Sequence, residues 1–124
     1  MISVVKTGIA ASKAPVSGTV KAGNIVYSVH VSKDPETGAV VTGDIETQTR
    51  RALTNLKMAM EAAGGSLANV AQMTIYLIDD ADAPGMNTAY REIMPEPYPV
   101  RATVVVNKLL GIGTRIELVA MAVI

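Results

Sequence analysis

The last quarter of the chain, Pro99–Ile124, reads PVRATVVVNKLLGIGTRIELVAMAVI and constrains the fold more than any other stretch. Two apolar runs, Ala102–Val106 and Arg115–Ile124, stand on either side of a short loop holding Gly111 and Gly113. β-branched runs split by a glycine-bearing connection predict a β-hairpin. Alternation along the second run puts Glu117 on the face of Val119, Met121 and Val123. A carboxylate on an apolar face is costly unless it is paired or hydrogen-bonded. Arg101 opens the first run, and strands paired across the loop would bring it within a few residues of Glu117. A guanidinium and a carboxylate in the wall of a mostly apolar pocket can hold and process a small carboxylate-bearing molecule.

The rest of the chain alternates strands and helices. Val4 and Val5 begin a short strand. Thr19–Ala22 and Asn24–Val31 flank a tight turn at Ala22-Gly23-Asn24. The second of these strands carries apolar residues on both faces, which predicts burial on both sides. Ser32–Gly43 has turn chemistry around Asp34-Pro35-Glu36-Thr37-Gly38. Asp44 then suits a helix N-cap, with Glu46 in the first turn. Ile45, Leu53, Leu56 and Met60 share one face, and Gly64-Gly65 supplies the stop, so a helix is expected over Asp44–Ala63. A strand over Val70–Ile78 and a helix over Ala81–Met94 follow, the latter with Pro84 near its start. Pro95, Pro97 and Pro99 force an extended lead into Arg101. The expected order is β-β-β-α-β-α-β-β. Two helices cannot cover both faces of such a sheet, so a second subunit is expected on one face.

A length of 124 residues suits one domain, 1–124, large enough for a real core. Mean hydropathy is +0.32, high for a small soluble monomer. No apolar run approaches the roughly 18 residues of a membrane span. The start, MISVVKTGIAASKAP, lacks a basic region followed by a long apolar core, which argues against a signal peptide. The absence of cysteine excludes disulfides, thiolate metal sites and cysteine nucleophiles, and permits a reducing compartment. A cytoplasmic location is therefore the expectation. The 11 basic and 11 acidic residues balance, and no basic block offers a footprint for nucleic acid. Asp79 and Asp80 have no further ligands near them in sequence, so no metal is expected.

Several segments together resemble the Rid family, the reactive intermediate imine/enamine deaminases, also called the YjgF-type or L-PSP endoribonuclease family. Asp44–Gly64 is similar to that family's first helix, and Val70–Leu77 followed by Asp79 to its next strand and turn. Met86-Asn87-Thr88-Ala89-Tyr90 resembles its N-x-x-Y segment, Pro99-Val100-Arg101 its P-x-R element, and Arg115-Ile116-Glu117 its terminal strand. The resemblance implies a chorismate-mutase-like α+β fold, with a sheet and two helices on one face. It implies a homotrimer around a central barrel, with sites between subunits. It implies hydrolysis of imine or enamine acids to oxo acids and ammonia, without metal or organic cofactor. Arg101 matches the family's carboxylate-binding arginine, Glu117 its acidic residue and Asn87 its helix asparagine.

The chain departs from that pattern at four positions. Val16 stands at the family's N-terminal aromatic residue, and Thr103 at the cysteine two residues after the arginine. Tyr27-Ser28-Val29-His30-Val31 replaces Y-[TS]-S-G-Q, which puts Val29 at the serine and His30 at a pocket-lining glycine. His30 either fills the pocket or acts there as an acid/base near neutral pH. Glu117 either positions water and moves protons or neutralises an arginine. Tyr27 and Tyr90 read as packing residues, and the methionines at 58, 60 and 73 as core filling. The expected function is a hydrolytic deaminase of a small carboxylate-bearing imine or enamine. The alternative is a trimeric binder or sensor of such a metabolite. A ribonuclease ranks below both for want of a basic groove.

Overall fold

The computed structural model describes residues 1–124. In chain order the elements are β1 (Ser3–Val4), β2 (Thr19–Ala22), β3 (Ile25–Val31), α1 (Ile45–Ala62), β4 (Val70–Leu77), α2 (Ala83–Ile93), β5 (Val100–Val105) and β6 (Ile116–Val123). Single 3-10 turns at Leu67–Asn69 and Asp80–Asp82 lead into β4 and α2. This is the expected α+β order, with two helices on one face of a mixed sheet.

Local chemistry sets the boundaries of α1. The Asp44 carboxylate accepts a hydrogen bond from the Thr47 N–H at 2.8 Å, and that bond lowers the Asp44 pKa. At the other end the N–H groups of Ala63, Gly64 and Gly65 close on Ala59, Glu61 and Met60, with Gly64 at φ +97°. Such a left-handed residue is where a helix commonly stops. Leu53, Leu56 and Met60 of α1, Met86 of α2, Met73, Ile75 and Leu77 of β4, and Ile116 and Leu118 of β6 are wholly buried together. Met58 stays half-buried. The two helices approach closely at Gly85, where a Cβ would lie 2.7 Å from Ile45 Cγ2.

The sheet order is β1-β2-β3-β6-β4-β5, and it overturns the expected hairpin. β6 does not pair with β5. It runs antiparallel to β3 on one side and to β4 on the other. β5 instead adds parallel to β4 at the sheet edge, with α2 as the crossover. The reason lies in β6 itself. Ile116, Leu118, Ala120 and Ala122 are all buried under the helices, and a strand with that much to bury is held at the centre, where both edges are paired.

Polarity along β3 is inverted relative to a simple half-buried strand. Ser28 and His30 point under the helices, whereas Tyr27 and Val29 are exposed on the outer face. Val119 and Val123 of β6 and Val104 of β5 are also partly exposed there. No helix of the chain is long and apolar enough to cross a membrane.

Gln48 ties α1 to the start of β6. Its side chain donates to the Gly113 carbonyl and accepts from the Arg115 N–H, both at 2.8 Å, and the residue is wholly buried. Gln48→Ala should cost about 2–4 kcal/mol, since it strands two backbone groups near the core. Urea unfolding is the measurement. An effect as small as that expected for exposed Glu61→Ala, within about 0.5 kcal/mol, would refute the tie.

Candidate active site

Arg101 sits on β5 opposite Met73, and Thr103 opposite Ile75. Both β4 partners are buried under the helices, so Arg101 and Thr103 face the helical side at the sheet edge. There α2 meets the guanidinium. Nη2 donates to Asn87 Oδ1 at 2.7 Å, and Cζ lies 4.6 Å from the centre of the Tyr90 ring. Nη1 lies 3.8 Å from Met86 Sδ. Asn87 and Tyr90 are three apart on a helix and share a face, which is why one guanidinium touches both. Burial raises the Tyr90 phenol above its ordinary pKa, while Arg101 pulls the other way.

Around these groups is a cleft of about 240 Å³, lined by Asn87, Tyr90, Arg91, Tyr98, Pro99 and Arg101. The Tyr90 and Tyr98 rings stand 6.0 Å apart at 51°. No carboxylate lines the cleft, and the ion pairs of the chain are elsewhere, between Arg50 and Glu92 and between Arg115 and Asp82. Arg101 is thus held by an amide and a π face, neither of which cancels its charge. A larger trough of about 580 Å³ runs beneath the 107–115 loop. Its guanidinium, Arg115, is already bound to Asp82 at 2.6 and 3.0 Å, and its other cation, Lys108, is a point charge without the planar fork that orients a carboxylate.

Glu117 is not beside Arg101. It pairs with Tyr76 and Val31 and lies on the outer face of the sheet, as its alternation with Val119, Met121 and Val123 requires. Two strand spacings and three residues of offset separate it from Arg101 by roughly 14 Å between Cα atoms, on opposite faces. The closeness expected from a hairpin is therefore absent within one chain. Val29, paired with Val119, shares the outer face with Glu117. Val16 is exposed in the loop before β2 and does not reach the Arg101 cleft.

His30 is also displaced from its expected role. It is 6% exposed, faces the helices, and shares a 2.6 Å hydrogen bond between Nε2 and Ser28 Oγ. Ser28 in turn bonds Thr19 Oγ1 at 2.7 Å. Burial, with the nearby Lys33 charge, lowers the His30 pKa from the usual 6.5 to about 4. A neutral core imidazole on the far side of the sheet from Glu117 is neither a pocket wall nor a near-neutral proton carrier for it. Conversely, Tyr90, Arg91 and Tyr98 were not apparent as site residues. The signal available was the helical spacing of Asn87, Tyr90 and Arg91.

Residues 7–124 match the family model described as Endoribonuclease L-PSP. A RutC family protein of Pyrococcus horikoshii is 44% identical over 96 residues, which cover 77% of this chain and 76% of that protein. A 2-iminobutanoate/2-iminopropanoate deaminase of Dermatophagoides farinae is 33% identical over 111 residues, covering 89% and 86%. Among solved structures, RidA from an Antarctic Psychrobacter superposes with a TM-score of 0.90 at 34% identity, over 98% of each chain.

The buried histidine makes stability depend on pH. Its folded pKa lies below its unfolded one, so between pH 6.5 and about 4 the unfolded chain binds the proton more readily. Stability is full above that window and falls by about 3 kcal/mol across it as pH drops. His30→Gln, which keeps a polar partner for Ser28 but cannot titrate, should flatten the slope. Urea midpoints at pH 7, 5.5 and 4 test this. An unchanged slope in the variant would place the acid sensitivity elsewhere.

Proposed function

This chain belongs to the Endoribonuclease L-PSP family, the family of the Rid proteins, and we propose that it hydrolyses small carboxylate-bearing imines or enamines to oxo acids and ammonia. The observation that carries this reading is the uncompensated Arg101 guanidinium, held in place by Asn87 and Tyr90. A planar guanidinium binds a carboxylate through two parallel hydrogen bonds, which fixes the orientation of the attached C=N carbon. The names of the relatives, an imine deaminase and a RidA among them, support the same chemistry.

The reaction needs a water at the C=N carbon and a route for protons. Glu117 is the residue proposed for both. A carboxylate there accepts a proton as water adds to the protonated imine, giving a carbinolamine. It returns that proton to the nitrogen, then takes the proton of the carbinolamine hydroxyl as the C–N bond breaks and passes it to the departing ammonia, so protonated imino acid and water become oxo acid and ammonium. An enamine enters after tautomerising to the imine.

Arg101 and Glu117 lie on opposite faces of one sheet, so a site using both takes them from two copies of the chain. The proposed assembly is a homotrimer, with the outer faces turned inward and a site at each subunit junction. Exposed Tyr27, Val29, Val119 and Val123 on that face support it, because such a surface is stabilised by being covered.

Three measurements bear on these proposals. Light scattering at micromolar concentration should give about three times the 13.0 kDa chain mass. A stable monomer would remove the shared site. Arg101→Ala should weaken binding of small carboxylates about ten- to hundredfold with the fold intact, and Arg101→Lys should recover part of this. Glu117→Gln should leave carboxylate binding in place and lower turnover of an imino acid generated in situ by about 10²–10⁴-fold. Carboxylate binding by the wild type without release of oxo acid would identify a binder instead of an enzyme.

A further inference from the structure

We propose that the Arg101 cleft selects a dianion: a short-chain imino or enamine acid with a second carboxylate, which Arg91 receives. This deepens the reading above and rests on it. The five arginines of the chain are used in different ways. Arg50 and Arg115 are neutralised by Glu92 and Asp82. Arg51 is bonded to Asn55 and close enough to Asp34 to help lower its pKa. The remaining two, Arg91 and Arg101, form no ion pair, and both line the same cleft.

Their placement follows from α2. Asn87, Tyr90 and Arg91 are at positions i, i+3 and i+4, so they share one helical face, and that face is turned toward β5. Asn87 and Tyr90 hold Arg101. Arg91 stands beside them with no hydrogen bond to another side chain. Two like charges in one small cleft repel each other, and no acid among the lining residues relieves this. A monoanion on Arg101 removes half of the excess charge. A second carboxylate on the same ligand removes the rest. The cleft, at about 240 Å³, restricts the chain between the two carboxylates to a short one. Tyr98 also lines the cleft, its ring centre 6.0 Å from that of Tyr90.

A simpler role for Arg91 is to complement the dipole at the C-terminal turn of α2. That role acts on stability and does not distinguish ligands by charge. The two roles therefore separate in a binding experiment. The probes are 2-oxoglutarate and its 5-amide, which match in shape and differ by one charge, titrated calorimetrically into the full chain. The wild type should favour the dianion by about two- to fivefold, the modest factor expected for a solvent-exposed pair. Arg91→Ala should bring the ratio of the two affinities close to one, and Arg91→Lys should restore part of it. Raised salt should shrink the wild-type ratio as well. Equal affinities in the wild type, or equal losses for both ligands in Arg91→Ala, would overturn the assignment. Either result with imino-acid turnover and its dependence on Arg101 intact would leave the proposed function standing. Binding of neither probe would overturn the dianion assignment, and absence of oxo-acid release from any imino acid would sink the parent reading.

Discussion

The two-sided pairing of β6 governs the molecule. Residues Ile116–Val123 join β3 to β4, and without them the sheet falls into two unconnected pieces. The same strand carries Glu117 outward and Leu118 inward, so its register decides which residues meet the helices and which meet the outer face. A slip of one residue would bury Glu117 and expose Leu118, which fixes the register strongly. Gln48 adds a second lock, because it bonds the backbone on both sides of Thr114, just ahead of the strand.

Features written in local chemistry were legible in the sequence. The Asp44 cap, the apolar face of α1, its glycine stop and the turn at Gly23 depend on residues a few positions apart. The partner of β6 was not legible in that way. Glycines between two β-branched runs favour a hairpin, but ten residues separate β5 from β6, whereas hairpin loops have about two to five. That length is the sequence feature that spoke against the hairpin. The competing pairing depends on burial under helices from other parts of the chain, and alternation in one strand cannot express it.

The site divides along the same line. Asn87 was singled out only as the match to the family's helix asparagine, and its contact with Arg101 comes from the structure alone. His30 was placed in a pocket by the family position it matches, and period-two alternation could not correct that, because it sorts residues into two faces without saying which face the helices cover. In β3 the set Tyr27 and Val29 is the more apolar, yet it is the one left outside, and the polar set goes in because Thr19, Ser28 and His30 satisfy one another. A buried polar chain that completes its own hydrogen bonds costs little, and it leaves the apolar set free for the outer surface.

Arg101 and Arg115 show how one side chain serves two ends. Arg115 donates from Nε and Nη2 to the two carboxylate oxygens of Asp82, which raises its pKa and leaves it as a brace between the start of β6 and the approach to α2. Arg101 has comparable anchoring in number, an amide oxygen and a ring face, but its partners are neutral. Positional order without charge cancellation is what an anion receptor requires, because the entropy of fixing the side chain is already spent while the field remains. The position of β5 allows this. At the sheet edge, parallel to β4, the strand presents Arg101 to α2 from one side and to solvent from the other.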